Sequence, residues 1–328
     1  MKVWIVAHGD GDGVASAALA MAALKEAEVY FSHPVGLYGD LKDIVKVGDK
    51  VVICDIALNE THLMELVKLL KELGGKGEVV YIDHHPLPLK LTQDMLKELP
   101  ITFVWEKGVC ASELTFRFFA NRLEPDMDRV AIYGAISDYA SDTPFIKSAL
   151  RRWDLKFIYF EAGVLSQGLE GSRGLYEFKR HVVEHLSRNL LPSSLSELVL
   201  RSLMESLREE EMREYIKDKI VKGDNVAYVL NPRGSLGKAA TYVKALSRAK
   251  VGVAGEERKK EIVMSLRTDL EGIDLNSILR VLAPKFGGSG GGHERAAGAR
   301  IPKDKFEEFI SGLEAYLSKL STQAGLDK

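Results

Sequence analysis

His8, Asp10 and Asp12 fall within five residues of one another, in the stretch AHGDGDGVAS that follows an apolar run. A glycine-punctuated turn needs at most one of these acids, so the others ask for a chemical task. Three further clusters have the same character: Asp55 ends KVVICDI, Asp83 with His84 and His85 closes EVVYI, and Asp138 closes AIYGAIS. If these runs are parallel strands, their carboxyl ends open onto one crevice and the four clusters converge there. Five carboxylates in one cleft repel one another unless positive charge is supplied. A divalent metal supplies it. Imidazole and carboxylate without thiolate suit manganese, magnesium or zinc, and an oxygen-rich octahedral site leans toward manganese. Two such ions roughly 3.5 to 4 Å apart clamp the attacking and leaving oxygens of a phosphoryl displacement. Taken singly, a strand-end aspartate is more often a helix cap or turn residue. All four clusters at strand ends, with three adjacent polar groups in DHH, argue against that reading for the set. Gly9, Gly11 and Gly13 are expected to let the backbone turn tightly enough to aim the first three polar side chains apart.

The elements that must position these residues follow from hydrophobic periodicity. Over the first 140 residues, short apolar runs alternate with helical patterns: strands at 2–7, 28–32, 50–56 and 78–82, and helices at 14–27, 60–73 and 112–121. This alternation predicts an α/β fold with a mostly parallel sheet and helices on both faces, over residues 1–145. From 146 to 222 the pattern is helical throughout and reads as a connector, with Ser194 and Glu197 spaced as a capping box. Strand patterns return in residues 223–328, which read as a smaller α/β domain: strands at 225–230, 250–254 and 261–266 (the last two flanking a GEERKK hairpin turn), and helices at 236–248, 276–285 and 303–320. The run GGSGGGH at 287–293 reads as a glycine-rich loop whose backbone N–H groups can approach an anion. NPRGSLGKAAT at 231–241 lacks the spacing of a phosphate-binding P-loop. Ser235 there reads as a helix cap, and Arg233 and Lys238 as candidate backbone contacts.

Composition narrows the field further. At 328 residues the chain is long enough for two or three domains, and a formal net charge of −2 provides no global basic field, so any nucleic-acid contact must be local. The two cysteines, Cys54 and Cys110, sit in or beside apolar runs and are expected as reduced core thiols, which points to a cytoplasmic protein. No segment has the roughly 18 uninterrupted apolar residues of a membrane span.

HGDGDG at 8–13, CDIA at 54–57, DHH at 83–85 and AISD at 135–138 resemble motifs I to IV of the DHH phosphoesterase family. GGSGGGHERAAGARI at 287–301 resembles the glycine-rich signature of the DHHA1 domain that accompanies it in RecJ-like exonucleases, oligoribonucleases and cyclic dinucleotide phosphodiesterases. The overall length is similar to compact oligoribonucleases and archaeal RecJ-like members, the Hef-associated nuclease branch among them. The resemblance implies that His8, Asp10 and Asp55 bind one metal and that Asp12, Asp55, His84 and Asp138 bind a second. It implies two Mn2+ ions, with Mg2+ or another divalent ion as substitute. His85 would face the scissile phosphate, and Asp83 would accept from a ligand imidazole and fix its orientation. Arg267, Gly290, Gly291, Gly292 and His293 would grip the substrate, which is expected to be single-stranded DNA or RNA or short oligonucleotides cleaved from an end to mononucleotides. The alternatives are a cyclic di-AMP phosphodiesterase and a non-catalytic replication or repair scaffold, although such scaffolds lose metal ligands and here every motif position is filled. A homo-oligomer is expected, with the connector as its contact or as the seat of a DNA-repair partner.

Overall fold

The computed structural model describes residues 1–324; the last four residues of the expected second domain lie outside the described residues. The chain divides into two compact units at Glu205/Ser206.

The first unit contains β1 (Val3–Ala7), α1 (Gly11–Leu24), β2 (Glu28–Phe31), α2 (Leu37–Ile44), β3 (Lys50–Cys54), α3 (Leu63–Gly74), β4 (Glu78–Asp83), α4 (Gln93–Lys97), β5 (Thr102–Trp105), α5 (Ala111–Phe119), α6 (Asp128–Ser137), α7 (Pro144–Leu150), α8 (Leu155–Glu170) and α9 (Tyr176–Ser187). It ends within the long helix α10 (Ser196–Lys219). All five strands are parallel, in the order β2-β1-β3-β4-β5. Their alternation sorts side chains between two layers. Ile5, Ala7, Val52, Cys54, Val80 and Ile82 share a core with α1, α5, α6, α8 and α9, while Val6, Val51, Ile53, Val79 and Tyr81 share another with α2 and α3. Strand register aligns the polar clusters. Ala7 pairs with Cys54, and Cys54 with Ile82, so His8, Asp55 and Asp83 leave their strands at one level. The order reverses between β1 and β3, and such a switch point is where a crevice opens beyond the strand ends.

Two sequence expectations change. The run 129–137 is a helix, α6, and Asp138 is its C-cap rather than the end of a strand. The run is apolar on every side, and periodicity cannot separate a buried helix from a buried strand. Val130, Ala131, Ile132, Tyr133 and Ala135 are all buried, in the same core as the alanine-rich α1. The capping box is also absent: Ser194 lies in a 3-10 turn, its hydroxyl donates to the Leu191 carbonyl at 2.7 Å, and α10 begins at Ser196. Strand β5 and helix α2 were not anticipated.

The stretch 146–205 packs as part of the first unit. Ile146, Ile158, Leu165, Val182, Val183, Leu186 and Leu198 lie in the same hydrophobic core as Ile5 and Val14. Cys54 and Cys110 are free and buried, as expected, and burial pushes the Cys54 thiol up to about 12.

The second unit continues from α10 with β6 (Val221–Lys222), β7 (Val226–Leu230), α11 (Leu236–Ser247), β8 (Val251–Glu257), β9 (Glu261–Arg267), α12 (Leu275–Leu282), β10 (Ser289–Gly292), β11 (Ala296–Pro302) and α13 (Phe306–Ala324). Its six strands lie in the order β10-β11-β9-β8-β7-β6, and only β7 and β8 run parallel. The β8–β9 hairpin forms as the GEERKK turn predicts. The glycine-rich run differs from expectation: residues 289–292 are an edge strand, with Gly290 opposite Ala299 and Gly291 opposite Gly298. A Cβ on Gly290 would stand 3.0 Å from the Leu279 Cβ, so bare backbone is what lets α12 lie against this strand. Among the described residues, no helix is long and apolar enough to cross a membrane.

Because residues beyond 145 complete the first core, a fragment 1–145 should unfold without a cooperative transition, whereas 1–205 should melt cooperatively. Within 1–205, Leu165→Ala should cost about 2–5 kcal/mol. Circular-dichroism melts of the two fragments and the variant check this, and a cooperative 1–145 would refute it.

Candidate metal centre

The four clusters meet beyond the ends of β1, β3 and β4. His8 follows β1 directly, and its N–H donates to the Cys54 carbonyl at 3.3 Å. Asp10 is the N-cap of α1: its Oδ1 accepts from the Gly13 N–H at 3.0 Å, while Oδ2 stands 2.8 Å from His8 Nδ1. The capping role and the site role thus fall on different oxygens of one carboxylate. Asp12 sits in the first turn of α1, 2% exposed, and both its oxygens accept main-chain hydrogen bonds at the N-terminus of α5, from Ala111 at 2.7 Å and Ser112 at 2.9 Å. A helix N-terminus favours such a carboxylate. This contact spans about a hundred residues, and nothing local in the sequence announces it.

The glycines of the first cluster act differently from the expectation. None of Gly9, Gly11 and Gly13 has positive φ. They permit close approach instead: a Cβ on Gly11 would lie 2.2 Å from Ser137 Oγ, and one on Gly13 would lie 2.2 Å from the His8 carbonyl oxygen. Gly134 of α6 does the same from the opposite side, since its Cβ would stand 2.8 Å from Asp12 Oδ1. The left-handed backbone falls on other residues, Asp55 with φ 59° and Tyr139, next to Asp138, with φ 55°. Such φ values are uncommon for residues other than glycine and cluster at functional sites.

Asp55 occupies the middle of the constellation, 3% exposed. Its Oδ1 lies 3.3 Å from His84 Nε2, and its Oδ2 lies 3.9 Å from His8 Nδ1. His84 Nε2 in turn stands 3.6 Å from Asp138 Oδ2 and 3.9 Å from Asp12 Oδ2. Donor atoms of His8, Asp10 and Asp55 gather within 4.8 Å of one another, as do those of Asp12, His84 and Asp138. The two sets expected to bind separate metals are therefore two sets in space, with Asp55 turned toward both. Asp83 pairs with His85, which is not one of the imidazoles expected as ligands: its Oδ1 meets His85 Nδ1 at 2.7 Å. The His85 carbonyl accepts from Trp105 Nε1 at 2.8 Å, which anchors the residue to β5.

Electrostatics record the crowding. Burial, then the neighbouring Asp10, Asp12, Asp138 and Asp83, push Asp55 well above the usual carboxylate range. Burial and the charges of Asp12 and Asp10 push Asp138 up to about 8, and burial also raises Asp12. Burial lowers His84, keeping it in the neutral form that can ligate a metal. Burial opposes charge on both members of the Asp83–His85 pair, but their mutual attraction outweighs it, lowering Asp83 and raising His85 to about 9. Buried carboxylates raised by one another, mixed with imidazole nitrogens at short range, form a donor set that fits divalent cations.

In the second unit, Arg267 ends β9, and its Nη1 donates to Ser265 Oγ at 2.8 Å and to the Leu266 carbonyl at 2.9 Å. A Cβ on Gly237 would stand 2.6 Å from Arg267 Nη2, so the start of α11 is shaped around the guanidinium. Gly292, with φ 144°, donates its N–H to Asn276 Oδ1 at 3.1 Å, and Gly291 lies beside Asn276 and Arg280. His293 follows directly, its N–H donating to the Ala296 carbonyl at 2.8 Å. Ser235 occupies the N-cap position of α11 without a side-chain cap bond, and Lys238 pairs with Glu209 at 2.8 Å.

Residues 2–138 match the DHH family, N-terminal domain, and residues 224–319 match the DHHA1 domain. Over 102 residues the chain is 29% identical to an uncharacterised protein of Methanocaldococcus jannaschii, a match covering 31% of this chain and 23% of that protein. Among solved structures, RecJ of Thermus thermophilus in complex with Mn2+ superposes with a TM-score of 0.70 at 16% identity, covering 97% of this chain and 52% of RecJ. The pGpG-specific phosphodiesterase PggH of Vibrio cholerae superposes with a TM-score of 0.60 at 14% identity, covering 98% of this chain and 99% of PggH. The chain thus spans about half the length of RecJ, and its match spans less than a quarter of the M. jannaschii protein. At these identities the likeness to the solved structures is one of fold. With a DHH N-terminal domain, a DHHA1 domain and all four expected clusters meeting at the sheet's switch point, this protein belongs to the DHH family.

Proposed function

We propose that the chain is a two-metal phosphodiesterase that hydrolyses single-stranded nucleic acid or short oligonucleotides from an end, releasing mononucleotides. The observation that carries this reading is the position of Asp55, with one oxygen toward His84 and the other toward His8. His8, Asp10 and Asp55 would hold one divalent ion, and Asp12, Asp55, His84 and Asp138 the other, with Mn2+ as the favoured metal. When bound, the pair supplies the positive charge that five carboxylates require and the Lewis acidity that makes water a competent nucleophile near neutral pH.

The chain's own residues do the rest. Asp83 fixes the His85 ring through Nδ1. The opposite ring edge is thereby set to donate a hydrogen bond to a phosphate oxygen as charge develops there. Hydrolysis forms one P–O bond to water and breaks the P–O bond to the sugar oxygen of the leaving nucleotide or strand, which takes up a proton. Arg267, Gly290, Gly291, Gly292 and His293 are the candidates for holding the terminal nucleotide. RecJ, solved with Mn2+, supports the nuclease reading through its fold. A second reading, a phosphodiesterase for linear or cyclic dinucleotides, draws support from the near-equal extent of PggH. The scaffold alternative is disfavoured because no donor of either set is missing.

Incubation with Mn2+ and end-labelled single-stranded DNA, RNA, two-to-five-mers and cyclic di-AMP should give stepwise release of mononucleotides from the strands or short oligomers. Faster turnover of dinucleotides than of any longer substrate would favour the second reading, and no hydrolysis of any of them would exclude both. Chelation should abolish activity and added Mn2+ restore it. Asp55→Ala should remove nearly all turnover, because it takes a donor from both sets. Asp83→Asn leaves every proposed ligand in place and should lower kcat about 10- to 100-fold, the scale at which residues that orient an active group act. Steady-state kinetics with unchanged Mn2+ dependence would check it.

A further inference from the structure

Helix α9 lies in a stretch that neither family match covers, and it packs against α1. Its buried face consists of Val182, Val183, Leu186 and, unexpectedly, Lys179, which is 6% exposed. An ammonium group in such surroundings costs free energy unless it is well partnered, and an apolar side chain would fill the same space without that cost. The Lys179 ammonium donates to the main-chain carbonyl of Gly9, 170 residues away in sequence.

Gly9 is the link between His8 and Asp10. On one side, His8 is tied to β3 through the Cys54 carbonyl; on the other, Asp10 is tied to α1 through the Gly13 N–H and by accepting from the Val14 N–H at 3.0 Å. Glycine is the least restrained residue that could stand between them. A Cβ on Gly9 would lie 3.3 Å from Lys179 Nζ and 3.6 Å from its Cδ, so an alanine there would press the ammonium back by a few tenths of an ångström.

We propose that Lys179 is a positioning residue for the metal centre, clamping the Gly9 carbonyl so that the His8 imidazole and the Asp10 carboxylate stay in register for one ion. The inference rests on the two-ion reading above and assigns the dependence to the His8–Asp10–Asp55 set. Lysine acts here through the peptide that joins two donors, without touching the reacting atoms.

The test is calorimetric titration of Mn2+ into the chelator-stripped full chain, alongside thermal melts with and without metal. Wild type should bind two ions. Lys179→Met should weaken one of them about 10- to 100-fold, the scale for residues that orient ligands, and leave the other unchanged. Its metal-free melting temperature should stay near that of wild type while the metal-induced increment shrinks. Lys179→Arg should restore most of the affinity, because a guanidinium can donate to the same carbonyl. Gly9→Ala approaches the contact from the other side and should reproduce the loss with Lys179 intact, which decides the matter even if Lys179→Met does not fold. A purely structural lysine would lower the metal-free melting temperature and leave both affinities intact. That result, or undiminished binding by Gly9→Ala, overturns the clamp alone. A wild-type chain that binds no Mn2+ overturns the two-ion reading and the clamp with it.

Discussion

Mutual repulsion among carboxylates held away from water is the constraint on which the rest of this structure turns. Asp12, Asp55 and Asp83 are each no more than 3% exposed, and Asp10 and Asp138 stand close enough to raise Asp55 further. Left alone, such a cluster would protonate or push its elements apart. The fold resists the second outcome by pinning each acid from a different direction. Asp12 is held by two N–H groups of α5, Asp83 by His85, and Asp10 by the first turn of α1. A scaffold that spends this much hydrogen bonding on holding like charges together is preorganised for cations.

The same constraint explains the backbone. Asp55, directly after β3, and Tyr139, directly after Asp138 at the end of α6, adopt left-handed φ. Each such residue costs on the order of 1–3 kcal/mol and persists only where its surroundings over-determine it. Around Asp55 those surroundings are buried, the residue itself being 3% exposed, whereas the Tyr139 side chain stands 84% exposed. Gly11 brings α1 against α6, and Gly134 brings α6 against α5, so closely that a side chain at either position would overlap a serine oxygen, that of Ser137 or of Ser112. Strain at the donors and contact without side chains behind them are two aspects of one arrangement.

The second unit solves a different problem with the same means. Its glycine-rich segment belongs to the sheet as β10, and its bare backbone is already engaged by β11 and by Asn276 of α12. Arg267 leaves the end of β9 with part of its guanidinium tied to Ser265 and Leu266, which orders a side chain that would otherwise be mobile.

Much of this was legible in the amino-acid sequence. Strand alternation, glycine-flanked acids and the DHH triplet are local patterns, and a parallel sheet with level strand ends follows from them, so the polar residues of the four clusters could be named from the sequence, while the division into ligands was implied only by the family resemblance. Three things were not legible. The run ending at Asp138 is apolar on all sides, and only its packing among α1, α5 and α8 decides that it is a helix. The glycines of HGDGDG look like turn formers, yet their φ values are ordinary; what they provide is space, and space depends on neighbours such as Ser137 that are more than a hundred residues away. Lys179 carries no motif at all, and its position under Gly9 exists only because α9 folds back onto α1. Composition and spacing determine which groups can do chemistry, because ligand chemistry and strand period are properties of short segments. Which contacts hold those groups in place is a property of close packing between distant segments, and only the tertiary structure decides it.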